Sequence, residues 1–210
     1  TPLQSIIGSA ELLENGLVKP EDQPRFLSRI HQEADRLVSL INDILRLSQL
    51  DEGGALPHEQ VSLLELAQEA ARSLTAQAAA QAVHISVTGT VGTVFGVRRL
   101  LYEIARNLCE NAVKYNVPGG SVTVEVAETD RDVALLVRDT GIGIPEGDQS
   151  RVFERFYRVD KSHSRAIGGT GLGLSIVKHA VAYHHGTLRL ESQLGKGTVI
   201  TVTLPKKPTE

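Results

Sequence analysis

Two glycine clusters are the first feature of the sequence that could carry chemistry. One contains Asp139, Gly141 and Gly143, and the other is Gly168-Gly169-Thr170-Gly171-Leu172-Gly173. Glycine lets a backbone approach a ligand closely, and the free N–H groups where a helix begins form an anion site. Neither cluster ends in Gly-Lys-Ser/Thr or has the third glycine of a dinucleotide-binding loop. Taken alone, each cluster is explained equally well by a tight turn.

A segment upstream of both clusters adds metal and phosphate chemistry. Asn107 and Asn111 are four residues apart, so they share one face of a predicted helix, and Lys114 follows on the same side. An amide oxygen can ligate Mg²⁺, a lysine offers a positive charge to phosphate, and Tyr115 offers an aromatic face. A solvated helix surface is the alternative. In combination with the glycine clusters, the segment predicts a metal–nucleotide site.

The amino-terminal part of the chain has the pattern of a helical hairpin. Apolar residues recur in steps of three and four, at Leu27, Ile30, Ala34, Leu37, Ile41 and Ile44. A shorter amphipathic helix from Ile6 to Leu17 precedes them, with Pro20 and Pro24 in the turn between. A hairpin cannot bury such a stripe alone, so we predict a homodimer with a four-helix bundle. Packing of the stripe on the rest of the same chain is the alternative.

The remainder of the chain has the pattern of an α+β domain. Gly53, Gly54 and Pro57 predict a linker over 53–61, between a hairpin of residues 1–52 and a domain of residues 62–206. Ser62 and Glu65 have the spacing of a capping box. We expect helices at 62–82, 97–115 and 171–186, and strands at 83–87, 94–95, 121–128, 133–139, 187–192 and 198–204. This order predicts one mixed sheet with helices on one face.

The composition limits the classes of partner. With 22 basic and 25 acidic residues the formal charge is -3, so the sequence lacks a broad basic field and predicts no nucleic-acid partner. Its single cysteine, Cys109, allows no disulfide within the chain, which fits a reducing compartment. No apolar run is long enough to span a bilayer, so we expect no membrane contact by these residues. The absence of methionine suggests a piece of a longer polypeptide.

In this order, the motifs resemble those of sensor histidine kinases, whose catalytic domain belongs to the ATPase superfamily shared with gyrase, Hsp90 and MutL. The N box corresponds to residues 107–115, the two G boxes to 139–143 and 169–174, and the F box to 153–158. Gly195-Lys196-Gly197-Thr198 also matches. Upstream, Thr1-Pro2-Leu3 resembles the segment just after the phosphate-accepting histidine, and 36–45 resembles the second hairpin helix. The resemblance covers essentially the whole chain and implies a Bergerat-type α/β sandwich after the hairpin.

The resemblance implies ATP and Mg²⁺ as ligands. Asp139 would accept a hydrogen bond from the adenine amino group, Asn111 would ligate Mg²⁺, and Tyr115 would stack near adenine. The other implied ATP-binding residues are Asn107, Lys114, Gly141, Gly143, Arg158, Gly169, Gly171, Leu172, Gly173 and Thr198. Residues 144–170 would form a mobile lid, which Phe153, Phe156 and Tyr157 could pin to the core; ordinary packing of these aromatic residues is the alternative.

The implied reaction transfers the γ-phosphoryl group of ATP to a histidine and then to an aspartate of a response-regulator receiver domain. The acceptor histidine would lie four residues before Thr1, outside the chain, and Thr1 matches a position that assists response-regulator dephosphorylation. These residues would be the cytoplasmic portion of a membrane-anchored bacterial sensor. Two alternatives are a phosphatase or scaffold with ATP as a conformational ligand, and an ATP-hydrolysing clamp. The family usually has glycine at position 185, where this chain has His185.

Overall fold

The computed structural model describes residues 2–51, 56–159 and 170–207, and of residues 2, 39 and 42–51 it describes the backbone alone. Several residues and segments singled out above therefore lie outside the described residues: Thr1, Gly53 and Gly54 of the predicted linker, Gly168, Gly169 and the middle of the predicted lid. The same holds for the side chain of Ile44.

The predicted helical hairpin is confirmed. Helix α1 spans Pro2–Glu14, helix α2 spans Gln23–Asp51, and the two pack against each other. Pro24 lies in the first turn of α2, where its missing N–H costs no helical hydrogen bond. The hairpin leaves a row of apolar side chains exposed, at Leu3, Ile7, Leu12, Leu17, Leu27, Val38 and Ile41. A single chain thus covers only part of the apolar stripe.

The main sheet has five strands, and its mixed character is confirmed. The strands are β2 (His84–Gly89), β4 (Ser121–Glu128), β5 (Asp132–Asp139), β6 (Thr187–Gln193) and β7 (Gly197–Pro205). Their order is β2-β4-β5-β7-β6, with a parallel β2–β4 pair and antiparallel pairs elsewhere. This order places β5 and β7 side by side at the centre, so their ends meet.

Helices cover one face of this sheet. They are α3 (Leu63–Ser73), α4 (Thr75–Ala80), α5 (Arg98–Lys114) and α7 (Gly173–Tyr183), and the short α6 (Glu146–Gln149) lies apart from the core. Alternate residues of the central strands, such as Val124, Leu135 and Val202, are fully buried beneath α5 and its neighbours. Alternation in a strand sends one set of side chains to each face, so the α+β sandwich follows from the pattern.

Two local predictions were wrong. The helix expected at 62–82 is broken at Leu74, where the Thr75 hydroxyl donates to the Arg72 carbonyl at 2.9 Å and satisfies the end of α3. A strand, β1 (Glu59–Ser62), was not predicted; it pairs with β3 (Thr93–Gly96) in a separate two-stranded sheet. The expected capping residue is confirmed, because the Ser62 hydroxyl accepts from the Glu65 N–H at 3.2 Å.

Helix α7 ends in a Schellman motif centred on two histidines. The Gly186 N–H donates to the Val181 carbonyl at 2.9 Å and the His185 N–H to the Ala182 carbonyl at 3.0 Å. The motif places His185 at a φ of 54°, in the left-handed region that favours glycine. His184 is buried; its Nε2 accepts from the Val97 N–H at 3.0 Å and its Nδ1 donates to the Ala180 carbonyl at 2.7 Å. It is therefore a packing residue.

We expect His185→Gly to stabilise the protein, because glycine adopts the left-handed conformation without a Cβ clash. The expected gain in the free energy of unfolding is about 1 kcal/mol, a rise of roughly 2–4 °C in Tm. Thermal unfolding followed by circular dichroism measures it. His185→Ala is the matched control, since alanine keeps the Cβ; an equal gain from alanine would show that backbone strain is not the cause.

Candidate functional site

The carboxylate of Asp139 is held in place at the end of β5. Its Oδ1 accepts from the Gly141 N–H at 2.8 Å and from the Thr198 N–H at 3.2 Å. No described residue donates to the other carboxylate oxygen, which leaves it available to a ligand. Burial raises the pKa of the Asp139 carboxyl, and the hydrogen bonds from Gly141 and Thr198 lower it in part. The side chain is thus a fixed hydrogen-bond acceptor in a partly desolvated position.

Glycines around Asp139 permit this arrangement because the backbones pass too closely for side chains. A Cβ on Gly141 would lie 2.3 Å from the Tyr115 carbonyl oxygen, and one on Gly197 would lie 2.0 Å from the Asp139 carbonyl oxygen. Gly143 has a φ of 68° and would bring a Cβ within 2.1 Å of the Gln193 carbonyl oxygen. The first glycine cluster and Gly197 therefore form one junction of three chain segments.

Thr198 lies beside Asp139 and is buried at the start of β7. Its hydroxyl is 2.9 Å from the hydroxyl of Ser192 on the neighbouring strand β6. Ser192 also accepts from the Ile144 N–H at 2.8 Å and donates to the Gly197 carbonyl at 3.0 Å. The resemblance did not point to Ser192, because its contacts depend on strand pairing.

Helix α5 connects this junction to the second glycine cluster. At its carboxyl end, the Tyr115 carbonyl accepts from the Ile142 N–H at 3.0 Å. Two turns earlier, Asn107 faces the first residue of α7, since a Cβ on Gly173 would lie 2.9 Å from the Asn107 Oδ1. Residues 107 and 115 are eight positions apart, or about 12 Å along a helix axis. Helix α5 therefore brings the two glycine clusters to opposite ends of one site.

Asn107 is oriented by a buried carboxylate that the sequence analysis did not single out. The Asn107 Nδ2 donates to the Glu103 carbonyl at 2.8 Å and to the Glu103 Oε2 at 3.3 Å. Glu103 is only 7% exposed. Because the amide nitrogen is used in this way, the Asn107 Oδ1 points toward Gly173. The four-residue spacing of the two side chains was the signal that could have indicated the pair.

Asn111, Lys114 and Tyr115 lie half-buried along the same helix. The Asn111 side chain has no hydrogen-bond partner among the described residues, so its amide oxygen is free to bind a cation. The Lys114 ammonium lies 5.5 Å from the centre of the Tyr115 ring. These positions agree with one polar face on α5, as the spacing predicted.

The electrostatics of this face are dominated by positive charge. Burial lowers the pKa of Lys114, Glu110 raises it, and Arg158 and Arg36 lower it further. Burial raises the pKa of Tyr115, and Arg158 lowers it. Arg158 precedes the undescribed part of the predicted lid, and Arg36 lies on α2 of the hairpin. Cations from three segments therefore surround α5, which suits a polyanion.

The start of α7 is a free helix terminus packed against the hairpin. Among the described residues, no side chain caps the first N–H groups of the helix, so these groups are available to an anion. The Leu172 side chain is fully buried with Ile176, and Leu40 of α2 packs against both. The Leu172 side chain therefore joins the hairpin to the domain, and its N–H already donates to the Thr170 hydroxyl at 3.2 Å.

The described ends of the predicted lid are tied together. The Phe156 N–H donates to the Gly171 carbonyl at 3.0 Å, and both residues have positive φ. The Tyr157 hydroxyl donates to Asp148, and Arg151 lies 4.2 Å from the Tyr157 ring centre. Phe156 is 58% exposed, so it does not pin the lid to the core, whereas Tyr157 does fasten its own turn.

Among the helices that the structure describes, none combines the length and apolar character needed to cross a membrane. Across the described residues, no three His, Cys, Asp or Glu side chains cluster in a way that could hold a metal ion.

Comparison with known families assigns the chain. Residues 96–208 match the family described as Histidine kinase-, DNA gyrase B-, and HSP90-like ATPase, and the chain belongs to this family. Residues 1–53 match the His Kinase A (phospho-acceptor) domain. The two domains in this order are those of sensor histidine kinases, which agrees with the motif order in the sequence.

Curated relatives support the same assignment over nearly the whole chain. The chain is 38% identical to the sensor-like histidine kinase SenX3 of Mycolicibacterium smegmatis, over 98% of the chain and 55% of that protein. It is 34% identical to the sensor histidine kinase WalK of Bacillus subtilis, over 99% of the chain and 35% of that protein. The chain thus spans about half the length of this SenX3 and about a third of WalK.

Solved structures share the fold. The mycobacterial sensor histidine kinase MprB has 32% identity and a TM-score of 0.63, over 73% of this chain and all of that one. Full-length ShkA, solved in complex with AMPPNP, has 27% identity and a TM-score of 0.74, over 99% of this chain and 44% of that one. The second likeness extends through both the hairpin and the sheet domain.

We expect Asp139→Asn to weaken ATP binding roughly 30- to 100-fold, about 2–3 kcal/mol, because the amide would present N–H groups to an amino group. Isothermal titration calorimetry measures the affinity. The nucleotide-free Tm should be unchanged or higher. The raised pKa means that folding favours the protonated carboxyl, so the ionised form lowers stability at neutral pH, and asparagine removes that cost.

Asp132→Asn is the matched control for this variant. It makes the same substitution at the other end of β5, where the Asp132 N–H bonds to Thr129 and the site is distant. Its ATP affinity should equal that of the parent chain. Equal affinities for all three proteins would show that Asp139 does not recognise the base.

Proposed function

We propose that this chain is the ATP-binding and phosphotransfer portion of a sensor histidine kinase, which transfers the γ-phosphoryl group of ATP to a histidine. The observation that carries the proposal is the arrangement along α5. An acceptor, Asp139, lies at the carboxyl end of the helix, and the start of α7 at Gly173 faces Asn107 about two turns earlier. A base can occupy the first position and phosphates the second, with ribose between them. The AMPPNP complex of the ShkA relative supports nucleotide binding at a fold of this kind.

At the base end, Asp139 accepts a hydrogen bond from the adenine amino group. Tyr115 and the backbone near Gly141 line the pocket around the base. Guanine carries a carbonyl oxygen in place of that amino group, so it would set an acceptor against a carboxylate. The carboxylate cannot rotate to avoid this, because Gly141 and Thr198 hold its other oxygen. The geometry therefore selects adenine through one fixed acceptor.

At the phosphate end, the chain supplies cations and N–H donors. The N–H groups at the start of α7 and the charge of Lys114 stabilise phosphate oxygens. The Asn111 amide oxygen fits a Mg²⁺ ligand, since no described residue engages it. When bound, Mg²⁺ would offset the negative charge that develops on the transferred group. Asn107, fixed by Glu103, would complete the same wall through its oxygen.

Transfer requires an acceptor histidine close to the phosphate end, and the hairpin supplies the scaffold for it. Leu40 of α2 already packs against Leu172 and Ile176 at the start of α7. The acceptor would lie upstream of Thr1, on the helix that continues into α1. Phosphoryl transfer of this type depends on positioning and on charge stabilisation. The apolar contact between hairpin and domain supports the positioning, and the cations near α5 support the charge stabilisation. From the histidine, the phosphoryl group would pass to an aspartate of a response-regulator receiver domain.

A chain extended upstream in native sequence would include the acceptor histidine. We expect this extended chain to be phosphorylated. Incubation with γ-labelled ATP and Mg²⁺ should label the extended chain, the label should be acid-labile and base-stable, and the shorter chain should stay unlabelled. The extended Asp139→Asn variant is the control and should stay unlabelled. ATP binding without labelling of the extended chain would favour a phosphatase or scaffold, and release of phosphate without labelled protein would favour an ATP-hydrolysing clamp.

We also propose that the hairpin forms a homodimer. Leu27 and Ile41 are 59% and 55% exposed, and together with Val38 they lie on one side of α2, away from the contact with α7. Exposed apolar rows on both helices are the pattern of an incomplete four-helix bundle. The placement of these residues on the cytoplasmic side of a membrane-anchored sensor stays a prediction, and so does the phosphatase role of Thr1.

The double variant Leu27→Lys with Ile41→Lys should be monomeric, because the charges would face each other in the bundle. Sedimentation equilibrium measures the mass, and circular dichroism checks that the helices persist. Gln32→Lys is the matched control, since Gln32 is exposed on the opposite side of α2. A monomeric parent chain, or a dimeric double variant, would contradict the proposed interface.

A further inference from the structure

The hydroxyl of Ser192 occupies a junction between the base pocket and the segment that follows the first glycine cluster. Its oxygen lies 2.8 Å from the Ile144 nitrogen, 2.9 Å from the Thr198 hydroxyl and 3.0 Å from the Gly197 carbonyl oxygen. A serine hydroxyl has one proton and two lone pairs, so three partners satisfy it fully.

These contacts determine the direction of each hydrogen bond. The Gly197 carbonyl can only accept, so it takes the single proton of Ser192. The Ile144 N–H can only donate, so it fills one lone pair. The second lone pair then accepts from the Thr198 hydroxyl, whose proton points toward Ser192. As a result, Thr198 presents only lone pairs to a ligand, beside the free carboxylate oxygen of Asp139.

A second set of bonds joins Ser192 to the start of the predicted lid. The Gln149 Nε2 donates to the Ser192 carbonyl at 2.9 Å and to the Ile144 carbonyl at 3.0 Å. Both the main chain and the side chain of Ser192 thus hold residues 144–149 against β6. On its other side, Thr198 reaches Asp139 through a backbone bond of 3.2 Å. One residue therefore touches both the base-recognition pair and the first turn of the lid.

We propose that Ser192 is a positioning residue that keeps Thr198 oriented as an acceptor toward the base and couples the base pocket to residues 144–149. The proposal rests on the ATP-binding function proposed above. Two adjacent acceptors, Thr198 and Asp139, match the donors of a 6-amino purine. They reject a 6-oxo purine, whose oxygen is itself an acceptor. Ser192 acts only through Thr198 and Ile144 and needs no contact with the nucleotide.

Titration calorimetry of this chain with ATP and with inosine triphosphate, which has a 6-oxo group, tests the proposal. In Ser192→Ala the Thr198 proton is free to turn toward the ligand. We expect ATP affinity to fall about fivefold to tenfold, the loss of a hydrogen bond or slightly more. The affinity for inosine triphosphate should fall less, so that the ratio of the two affinities decreases. Ser192→Thr keeps the hydroxyl on a strand and should restore the parent ratio.

Two further variants separate positioning from general stability. Ser86→Ala removes another half-buried strand hydroxyl, which bonds the Val122 carbonyl at 3.5 Å two strands away from Asp139 and does not hydrogen-bond Ser192 or Thr198, and it should leave both affinities unchanged. Gln149→Ala releases residues 144–149 without touching Thr198. It should increase proteolysis of the lid in the ATP complex and leave the ratio of affinities unchanged.

The outcomes distinguish this proposal from the one on which it rests. If the parent chain binds ATP and Ser192→Ala keeps the parent ratio, Ser192 has no positioning role and the proposal is overturned. An equal loss in Ser192→Ala and Ser192→Thr would also overturn it, since the hydroxyl would then be irrelevant. If the parent chain binds neither nucleotide, the ATP-binding function itself fails.

Discussion

The hydrogen bonds to the Asp139 carboxylate are the constraint on which the rest of the site depends. A half-buried carboxylate needs donors, and both come from the backbone, at Gly141 and Thr198. The Gly141 N–H lies two residues after Asp139, whereas the Thr198 N–H reaches the carboxylate because β5 and β7 are neighbours and because Gly197 lets their backbones approach. The position of the free Asp139 oxygen thus depends on both the central strand pair and the glycine positions. A change in any of them would turn or bury the acceptor.

Helix α5 transmits this geometry across the site. Its apolar face is buried against the sheet, which fixes its position, and its polar face carries Asn107, Asn111 and Lys114. The same helix contacts the first glycine cluster at Tyr115 and the start of α7 at Asn107. Because Leu172 and Ile176 also pack on Leu40, the start of α7 and the hairpin share one interface. Movement of the hairpin relative to the domain would therefore alter the start of α7, where we propose that phosphates bind.

Much of the fold and of the site could be predicted from local patterns. The hairpin, the central strands and α5 were found because each has a regular apolar period over several turns or residues. The polar face of α5 followed from spacing alone. The short strand β1 was missed because four residues carry little periodic signal. The break at Leu74 was missed because its local signal is only Ser73 and Thr75, two poor helix formers between longer stretches of good ones. Their structures are decided by neighbours distant in the sequence.

Three residues near the site could not be predicted from the sequence: Ser192, Glu103 and Arg36. Each has a residue type that is common on protein surfaces. Ser192 reaches the site through strand pairing, Glu103 through helix orientation, and Arg36 through the contact between hairpin and domain. The sequence by itself determined the family, the order of the motifs and the residue types that could bind a base, a metal and phosphates, because these depend on local spacing. Only the tertiary structure decided which oxygen of Asp139 is free, how Ser192 and Thr198 share their protons, and that Leu172 faces the hairpin. Such details depend on distances between segments far apart along the chain, which local patterns do not specify.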